Sequence, residues 1–144
     1  MGRLLAIASV ATKRAPLTER AEAVISVRNG IEGDVRGAKS GRQITVLFRE
    51  GWEAACADLG VALPWVTRRA NLYVEGVATP REGSRLVIGG VVLEVVSETQ
   101  PCQLMEAAHR GLRKALTPDW RGGVCCTVVE GGTIRSGDEV KAIS

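Results

Sequence analysis

Short apolar runs rich in valine and isoleucine recur along the sequence, and turn-forming glycines separate them. Residues 43–48 and 91–96 have the β-branched content typical of strands, and Gly89-Gly90 is a two-residue hairpin turn just before the second run. Seventeen residues are glycine and only 3% are aromatic, so aliphatic side chains have to fill the core. The pattern predicts a mainly β fold with a few short helices, in the form of a closed or partly closed β-barrel.

Other segments also have the periodicity of a strand or a helix. Residues 51–60 place apolar side chains at helical spacing, with Cys56 on the apolar face and Gly60 at the C-terminal stop. We therefore expect Cys56 to lie in the core. Further strands are predicted at residues 4–11, 23–27, 84–88, 124–129 and 134–143.

Length, hydropathy and charge narrow the class of protein. A chain of 144 residues suits one domain, residues 1–144, which buries roughly 68–70% of its unfolded surface. It has no run of 18 apolar residues, and its apolar start is too short for a secretory signal, so we expect a cytoplasmic protein without a membrane partner. The net charge of +3 is too small to indicate a nucleic-acid partner. Arginine outnumbers lysine by 15 to 4, which suits bidentate binding of phosphate or carboxylate, although GC-rich coding would produce the same excess.

The four cysteines are not spaced like a zinc site. No Cys-x-x-Cys pair occurs, and His109 is the only histidine, so neither a structural zinc nor a disulfide framework is expected. Cys125 and Cys126 are adjacent in a predicted strand. Their side chains should point to opposite faces and cannot share one metal.

Cys102 lies where a predicted strand gives way to a predicted helix. Pro101 cannot donate a ladder hydrogen bond, and apolar residues then follow at helical spacing. A thiol in the first turn of a helix is at the positive end of the helix dipole, which favours the thiolate. Cys102 is therefore the best candidate for a nucleophile or a soft-metal ligand, and the alternative is a small buried core residue. The predicted helix has its apolar face at Leu104, Met105, Ala108, Leu112, Ala115 and Leu116.

Residues 28–42 form a long polar segment with four glycines, two carboxylates and four basic residues. Loops of this length inside a domain are usually functional or disordered, and the composition does not separate the two.

Seven segments, in this order and with this spacing, resemble the MOSC domain, the C-terminal module of molybdenum cofactor sulfurases that also occurs as small stand-alone bacterial proteins. They are Gly30-Ile31-Glu32-Gly33-Asp34, residues 42–47, Arg68-Arg69-Ala70-Asn71-Leu72, residues 83–89, Pro101-Cys102, Arg121-Gly122-Gly123-Val124 and residues 131–138. The resemblance implies a barrel like that of the pyruvate kinase barrel domain. It also implies that Cys102 either carries sulfur as a persulfide or binds the molybdenum of a pterin cofactor (molybdopterin) as a thiolate.

The resemblance also implies roles for other residues. Arg68, Arg69 and Arg121 could face an anionic ligand such as the cofactor phosphate, or could form a solvated barrel rim. Asn71 could orient a ligand or cap a turn. Gly33 and Asp34 could shape the entrance of the site, or Asp34 could make an Asx-turn.

One departure weakens the case for cofactor binding. Many members of the family have histidines after the Gly-Asp pair, whereas residues 35–40 contain none. No segment resembles a pyridoxal phosphate-dependent cysteine desulfurase, so a separate protein of that kind would have to deliver sulfur to Cys102.

Three hypotheses therefore stand after the sequence. The first is a sulfur carrier that accepts sulfur from a cysteine desulfurase and passes it to a molybdenum enzyme, its cofactor or another metal–sulfur centre. The second is a small molybdenum cofactor-dependent reductase with Cys102 as the metal ligand. The third is a non-catalytic barrel that binds a ligand or partner, with Cys102 buried.

Overall fold

A closed β-barrel forms the body of the protein, as expected from the sequence. The computed structural model describes residues 2–37 and 41–144. The strands are β1 (Gly2–Ser9), β2 (Thr18–Arg20), β3 (Glu22–Ser26), β4 (Gly30–Ile31), β5 (Ile44–Phe48), β6 (Leu72–Glu75), β7 (Arg85–Ile88), β8 (Val91–Glu98), β9 (Val124–Glu130), β10 (Gly132–Arg135) and β11 (Glu139–Ile143). The helices are α1 (Arg49–Leu59), α2 (Gln103–Ala108) and α3 (Leu112–Ala115), with 3₁₀ turns at Trp65–Arg68 and Pro118–Trp120.

Seven of these strands close the barrel in the order β1, β6, β5, β9, β8, β7 and β11. The first and last strands meet through an antiparallel pairing of Gly2 with Val140. Strands β5 and β6 are parallel, and α1 lies in the crossover that such a pair requires. Strand β2 pairs with β1 outside the ring, and β10, β3 and β4 form a separate small sheet.

Two apolar clusters lie on opposite sides of β5. Val46 and Phe48 point into the barrel core, whereas Leu47 between them packs outside the barrel with Trp52 of α1 and Leu112 of α3. Successive side chains of a strand point to opposite faces, so one short strand serves both clusters. Burial of both faces explains why β5 reads as a continuous apolar run.

Several local predictions are confirmed. The Gly89-Gly90 turn joins β7 and β8, with Ile88 paired to Val91. Helix α1 ends at Gly60, which has the left-handed φ of 67°, and Cys56 is 8% exposed. The 28–42 segment contains the unpredicted strand β4, while its residues 38–40, like Met1 of the predicted domain, lie outside the described residues.

The single helix predicted after Cys102 is wrong, because the chain forms two short helices there. Helix α2 ends at His109, and Gly111 adopts a φ of 89° before α3 begins. The Gly111 amide donates to the Glu106 carboxylate instead of a helical carbonyl (3.0 Å). Of the predicted apolar face, Met105 and the residues of the second helix turn inward. Leu104, which is 65% exposed, and Ala108 do not. None of the helices in residues 2–37 and 41–144 is long and apolar enough to cross a membrane.

A buried carboxylate fixes the turn after β4 against the barrel. Asp34, whose side chain is 2% exposed, accepts hydrogen bonds from the amides of Val10 (3.2 Å) and Arg36 (2.8 Å). It also pairs with the Arg36 guanidinium (3.1 Å) and accepts from Asn71 Nδ2 (2.9 Å). Burial alone would raise the pKa of Asp34, but the hydrogen bonds and charge of Arg36 and the Val10 amide together lower it.

Two glycines let the start of β9 pack closely against its neighbours. A Cβ on Gly123, whose φ is 93°, would overlap the backbone oxygen of Val46. A Cβ on Gly122 would lie 2.6 Å from the backbone oxygen of Thr99. The Gly-Gly pair is therefore required by backbone contact and not only by turn geometry.

The Gly123→Ala variant should lose more stability than φ strain alone explains. Forcing alanine to a positive φ costs about 1–2 kcal/mol, and the overlap with β5 should bring the total above about 3 kcal/mol. Gly83→Ala is a matched control, because Gly83 has a φ of 85° but no atom within 4 Å of its Cβ position. Urea unfolding of the two variants measures the difference, and equal losses would contradict the contact.

The Asp34→Asn variant should be destabilised by about 2 kcal/mol at neutral pH, less than for a fully buried pair because Arg36 is partly exposed. A carboxylate with a lowered pKa contributes stability that is present above the unfolded value of 3.8 and is lost as the pH falls through the folded-state pKa. The difference in unfolding free energy between wild type and variant should therefore begin to shrink below about pH 3.8 and should vanish only below the lower folded-state pKa of Asp34. Asp119→Asn, at an exposed site, is the control, and a gap independent of pH would contradict this role of Asp34.

Candidate functional site

A cavity of about 280 Å³ opens beside the segment that joins β8 to α2. We call it the arginine cavity, because four arginines line it and no carboxylate does. The lining residues are Arg36, Arg42, Thr45, Arg68, Arg69, Ala70, Asn71, Thr99, Gln100, Cys102, Leu104, Met105 and Gly122. Its charge and its thiol both point to an anionic or sulfur-containing ligand.

Arg68 forms the inner wall of the cavity and is only 7% exposed. Its Nε donates to the Gly122 oxygen (3.0 Å) and its Nη2 donates to the Thr99 oxygen (2.7 Å). The absence of a side chain at Gly122 makes room for this arrangement, since a Cβ there would lie 3.0 Å from Nη2. The Arg121-Gly122-Gly123 segment thus contributes to the site through Gly122, which leaves room for Arg68 to reach the backbone.

The electrostatics of Arg68 connect it to the thiol. Burial lowers the pKa of Arg68, and negative charge at Cys102 and Cys125 opposes that effect. The positive charge of Arg42 acts in the same direction as burial. An anion in the cavity would relieve the cost of keeping this guanidinium charged.

Arg36 and Arg69, which also line the cavity, are hydrogen-bonded to other parts of the protein. Arg36 Nη1 donates to the Arg69 oxygen (2.7 Å), and its other nitrogens bind Asp34. Arg69 has a φ of 63° at the end of the 3₁₀ turn and donates from Nη2 to the Ala15 oxygen (3.0 Å). These bonds hold both arginines at the cavity wall.

Asn71, predicted either to orient a ligand or to cap a turn, and Asp34, predicted either to shape the entrance or to make an Asx-turn, both form hydrogen bonds within the protein. Asn71 is 3% exposed, and its Oδ1 accepts from the Thr45 amide (3.0 Å) while its Nδ2 donates to Ala8 and Asp34. Asp34 accepts from the amide two residues on, which is the Asx-turn alternative. Both residues position the walls of the cavity rather than offer free groups to it.

Cys102 lies at the rim of the cavity and is exposed, whereas Cys56, Cys125 and Cys126 are buried. It is the residue that precedes α2, with an extended φ of −129°, and its carbonyl accepts from the Met105 amide (3.0 Å). Burial raises the pKa of Cys126, which keeps that thiol protonated. The exposed position contradicts the alternative in which Cys102 is a buried core residue.

Besides Asp34, two other predicted site residues do not line the cavity. Arg121 Nη1 pairs with Asp58 (2.7 Å) and donates to the Ala115 oxygen (3.0 Å), and it does not line the cavity. Gly33 also lies outside the lining, in a turn with a φ of 89°. The motif that contains Arg121 contributes Gly122 to the cavity instead.

Among the lining residues that the sequence analysis did not predict as site residues, four have a recognisable signal in the sequence. Arg36 and Arg42 come from the basic 28–42 segment, and Thr99 and Gln100 directly precede Pro101-Cys102. The basic composition of the loop was a usable signal for the two arginines. Proximity in sequence to Cys102 was the signal for the other two.

The donor set argues against a metal held by protein side chains alone. Within residues 2–37 and 41–144 no group of three or more His, Cys, Asp or Glu side chains could hold an ion. The cavity offers one soft sulfur donor and several cations, which fits a group that brings its own metal ligands and carries negative charge.

Comparisons with known proteins agree on the fold. A YuaD protein structure from Bacillus subtilis is similar over 100% of this chain and 97% of its own, with a TM-score of 0.82 and 21% identity. YiiM from Geobacillus stearothermophilus is similar over 100% of this chain and 76% of its own, with a TM-score of 0.79 and 16% identity. YiiM from Escherichia coli is similar over 99% and 70%, with a TM-score of 0.68 and 17% identity. A comparison with curated proteins gives no match.

The sequence itself matches the family model described as the MOSC domain over residues 32–141. This span runs from the turn that holds Asp34 to the last barrel strand, and it includes the whole arginine cavity and Cys102. The chain therefore belongs to the MOSC domain family.

Proposed function

We propose that this MOSC domain protein is a sulfur carrier in which Cys102 holds sulfane sulfur as a persulfide. The observation that carries the proposal is the placement of the exposed thiol on the rim of a cavity lined by four arginines. The remaining cysteines are buried, which leaves Cys102 as the thiol that a donor protein can reach. The family is related to molybdenum cofactor sulfurases, which suggests a molybdenum enzyme, its cofactor or another metal–sulfur centre as acceptor.

The transfer needs only the thiolate and a persulfide donor. The Cys102 thiolate attacks the outer sulfur of the donor persulfide, the S–S bond of the donor breaks, and the donor leaves as a thiolate. A pyridoxal phosphate-dependent cysteine desulfurase is a suitable donor, because such an enzyme presents a persulfide on its own cysteine. The step requires no oxidant or reductant.

The arginines stabilise the anions on both sides of this step. Arg68 and Arg42 contribute positive charge near Cys102, which favours both the attacking thiolate and the terminal sulfur of the persulfide. Arg68 is held by two carbonyl oxygens, so its charge is available without reorganisation.

A second function, a molybdenum cofactor-dependent reductase, is favoured by the charge of the cavity. The Cys102 thiolate would be the metal ligand, and Arg42, Arg68 and Arg69 would hold the phosphate of the pterin cofactor. The volume of about 280 Å³ is near the lower end of small-molecule sites, so it suits the phosphate end of such a ligand. When bound, the cofactor would supply the two-electron chemistry.

Incubation with a cysteine desulfurase and cysteine should add the mass of one sulfur atom to the Cys102 peptide, because Cys102 is the exposed thiol. Cys102→Ser should abolish the added mass, and Ser136→Ala, at an exposed site, is a control that should not change it. Mass spectrometry after alkylation in native buffer measures both. Labelling confined to Cys125 or Cys126 would exclude the carrier.

Metal and pterin analysis tests the reductase. Protein purified from a host that makes the cofactor should contain molybdenum and pterin in equal amounts, and both should fall sharply in Cys102→Ser and Arg42→Gln because these variants remove the thiolate and a phosphate-binding cation. An exposed arginine outside the cavity, changed in Arg3→Gln, provides the control. Protein free of molybdenum and pterin would exclude this second function and leave the carrier.

A further inference from the structure

Most of the positive charge in the arginine cavity has no ion-pair partner among the described residues, and Glu98 acts on Arg68 only from beyond ion-pair distance. Arg36 is paired with Asp34, but no carboxylate within residues 2–37 and 41–144 forms an ion pair with Arg42, Arg68 or Arg69. An excess of cations in one small cavity is unfavourable unless an anion occupies it.

Arg68 is the strongest indication of a built anion site. The residue is 7% exposed, and its guanidinium donates hydrogen bonds only to neutral carbonyl oxygens among the described residues. Its Nη1 has no hydrogen-bond acceptor in the described ranges, although the residue lines the cavity. A buried guanidinium with one uncommitted nitrogen is the arrangement that an oxyanion completes through a charge-assisted hydrogen bond.

The size of the cavity and the position of the thiol bear on the choice of ligand. At about 280 Å³ the cavity has ample room for a small oxyanion. Cys102 belongs to the same lining as Arg42 and Arg68, which brings a thiol and these cations to one cavity. A small oxyanion that also carries a transferable sulfur satisfies the cations and the thiol together.

We propose that the arginine cavity binds thiosulfate and that Cys102 removes its outer sulfur, so that this small sulfur oxyanion is a direct sulfur donor to the protein. The inference rests on the proposed function, because it supplies the persulfide of the carrier. The three oxygens of the sulfonate end accept hydrogen bonds from Arg68 and Arg42. The outer sulfur then faces Cys102 at the rim.

The step balances without a further reactant. The Cys102 thiolate attacks the outer sulfur of thiosulfate and forms a new S–S bond. The S–S bond of thiosulfate breaks, and its electron pair leaves with sulfite. The products are the Cys102 persulfide anion and one sulfite dianion, so total charge and oxidation level are conserved.

Electrostatics explain why this reaction needs the cavity. A thiolate and a dianion repel each other, and three negative charges have to come together in the encounter. Arg68 and Arg42 offset that repulsion, and they also stabilise the sulfite that leaves. A donor persulfide, whose departing group is a thiolate with one negative charge, carries less charge than thiosulfate and should depend less on these arginines.

The experiment compares two small donors with purified protein. Thiosulfate should load Cys102 with one sulfur and release one sulfite per persulfide, as measured by mass spectrometry and a sulfite assay. Arg42→Gln should slow this loading at least about fivefold, and Arg68→Lys, which loses the guanidinium fork, at least about tenfold. Arg3→Gln, an exposed arginine outside the cavity, should load at the wild-type rate. If Arg68→Lys does not fold, the loading rate of Arg42→Gln, a change at an exposed site, still tests whether the cavity recognises thiosulfate.

Cysteine persulfide as the second donor separates this inference from the proposed function. Loading by cysteine persulfide but not by thiosulfate would overturn the thiosulfate inference and leave the carrier intact. Loading by neither donor would overturn both. Equal thiosulfate rates in wild type, Arg42→Gln and Arg68→Lys would show that the cavity does not recognise the oxyanion, which also overturns the inference.

Competition with inorganic phosphate tests whether the cavity recognises thiosulfate or a phosphate-bearing ligand. Phosphate should compete weakly with thiosulfate if both occupy the same cations. Tight phosphate binding with no thiosulfate reaction would assign the cavity to a phosphate-bearing ligand and overturn the inference.

Discussion

The arrangement of the site depends on how Arg68 is held. Two backbone carbonyls, from Thr99 before Cys102 and from Gly122 before β9, accept from its guanidinium. One side chain thus connects the 3₁₀ turn, the segment that carries the thiol and the start of a barrel strand. Because the partners are neutral dipoles, the charge of Arg68 is positioned but not neutralised, which is the condition for binding an anion.

The barrel provides the rigidity that this arrangement needs. Closure between β1 and β11 leaves no open end in the ring of strands. Because β5 and β6 are parallel, both strands start at the same end of the barrel. Thr45 at the start of β5 and Asn71 just before β6 lie side by side and bind each other there. Hydrogen bonds from Asn71 and Arg36 to Asp34 hold the turn after β4 beside these two residues.

The four cysteines differ in their exposure to solvent. Cys126 lies in the barrel core, and Cys56 lies on the buried face of α1. Cys125 contacts the Thr99 hydroxyl (3.3 Å). Cys102 alone among them is exposed, and it lies in the segment between the end of β8 at Glu98 and the start of α2 at Gln103. In the proposed sulfur transfer, this exposure at the edge of a cationic cavity would give both a protein donor and a small anion access to the same sulfur.

Local patterns in the sequence determined the elements of this protein, since strand content, glycine turns and helix periodicity depend on neighbouring residues. They identified the β-barrel class, α1, the Gly89-Gly90 hairpin and the strand-to-helix position of Cys102. Only the tertiary structure decided that Arg36 and Arg42 line the cavity and that Arg121 pairs with Asp58 outside it. It also decided that the side-chain amide of Asn71 forms its hydrogen bonds within the protein. It likewise decided that the helix predicted after Cys102 is interrupted before Gly111. Those outcomes depend on contacts between residues far apart in the chain, such as the 54 positions between Arg68 and Gly122, and no local pattern records such contacts.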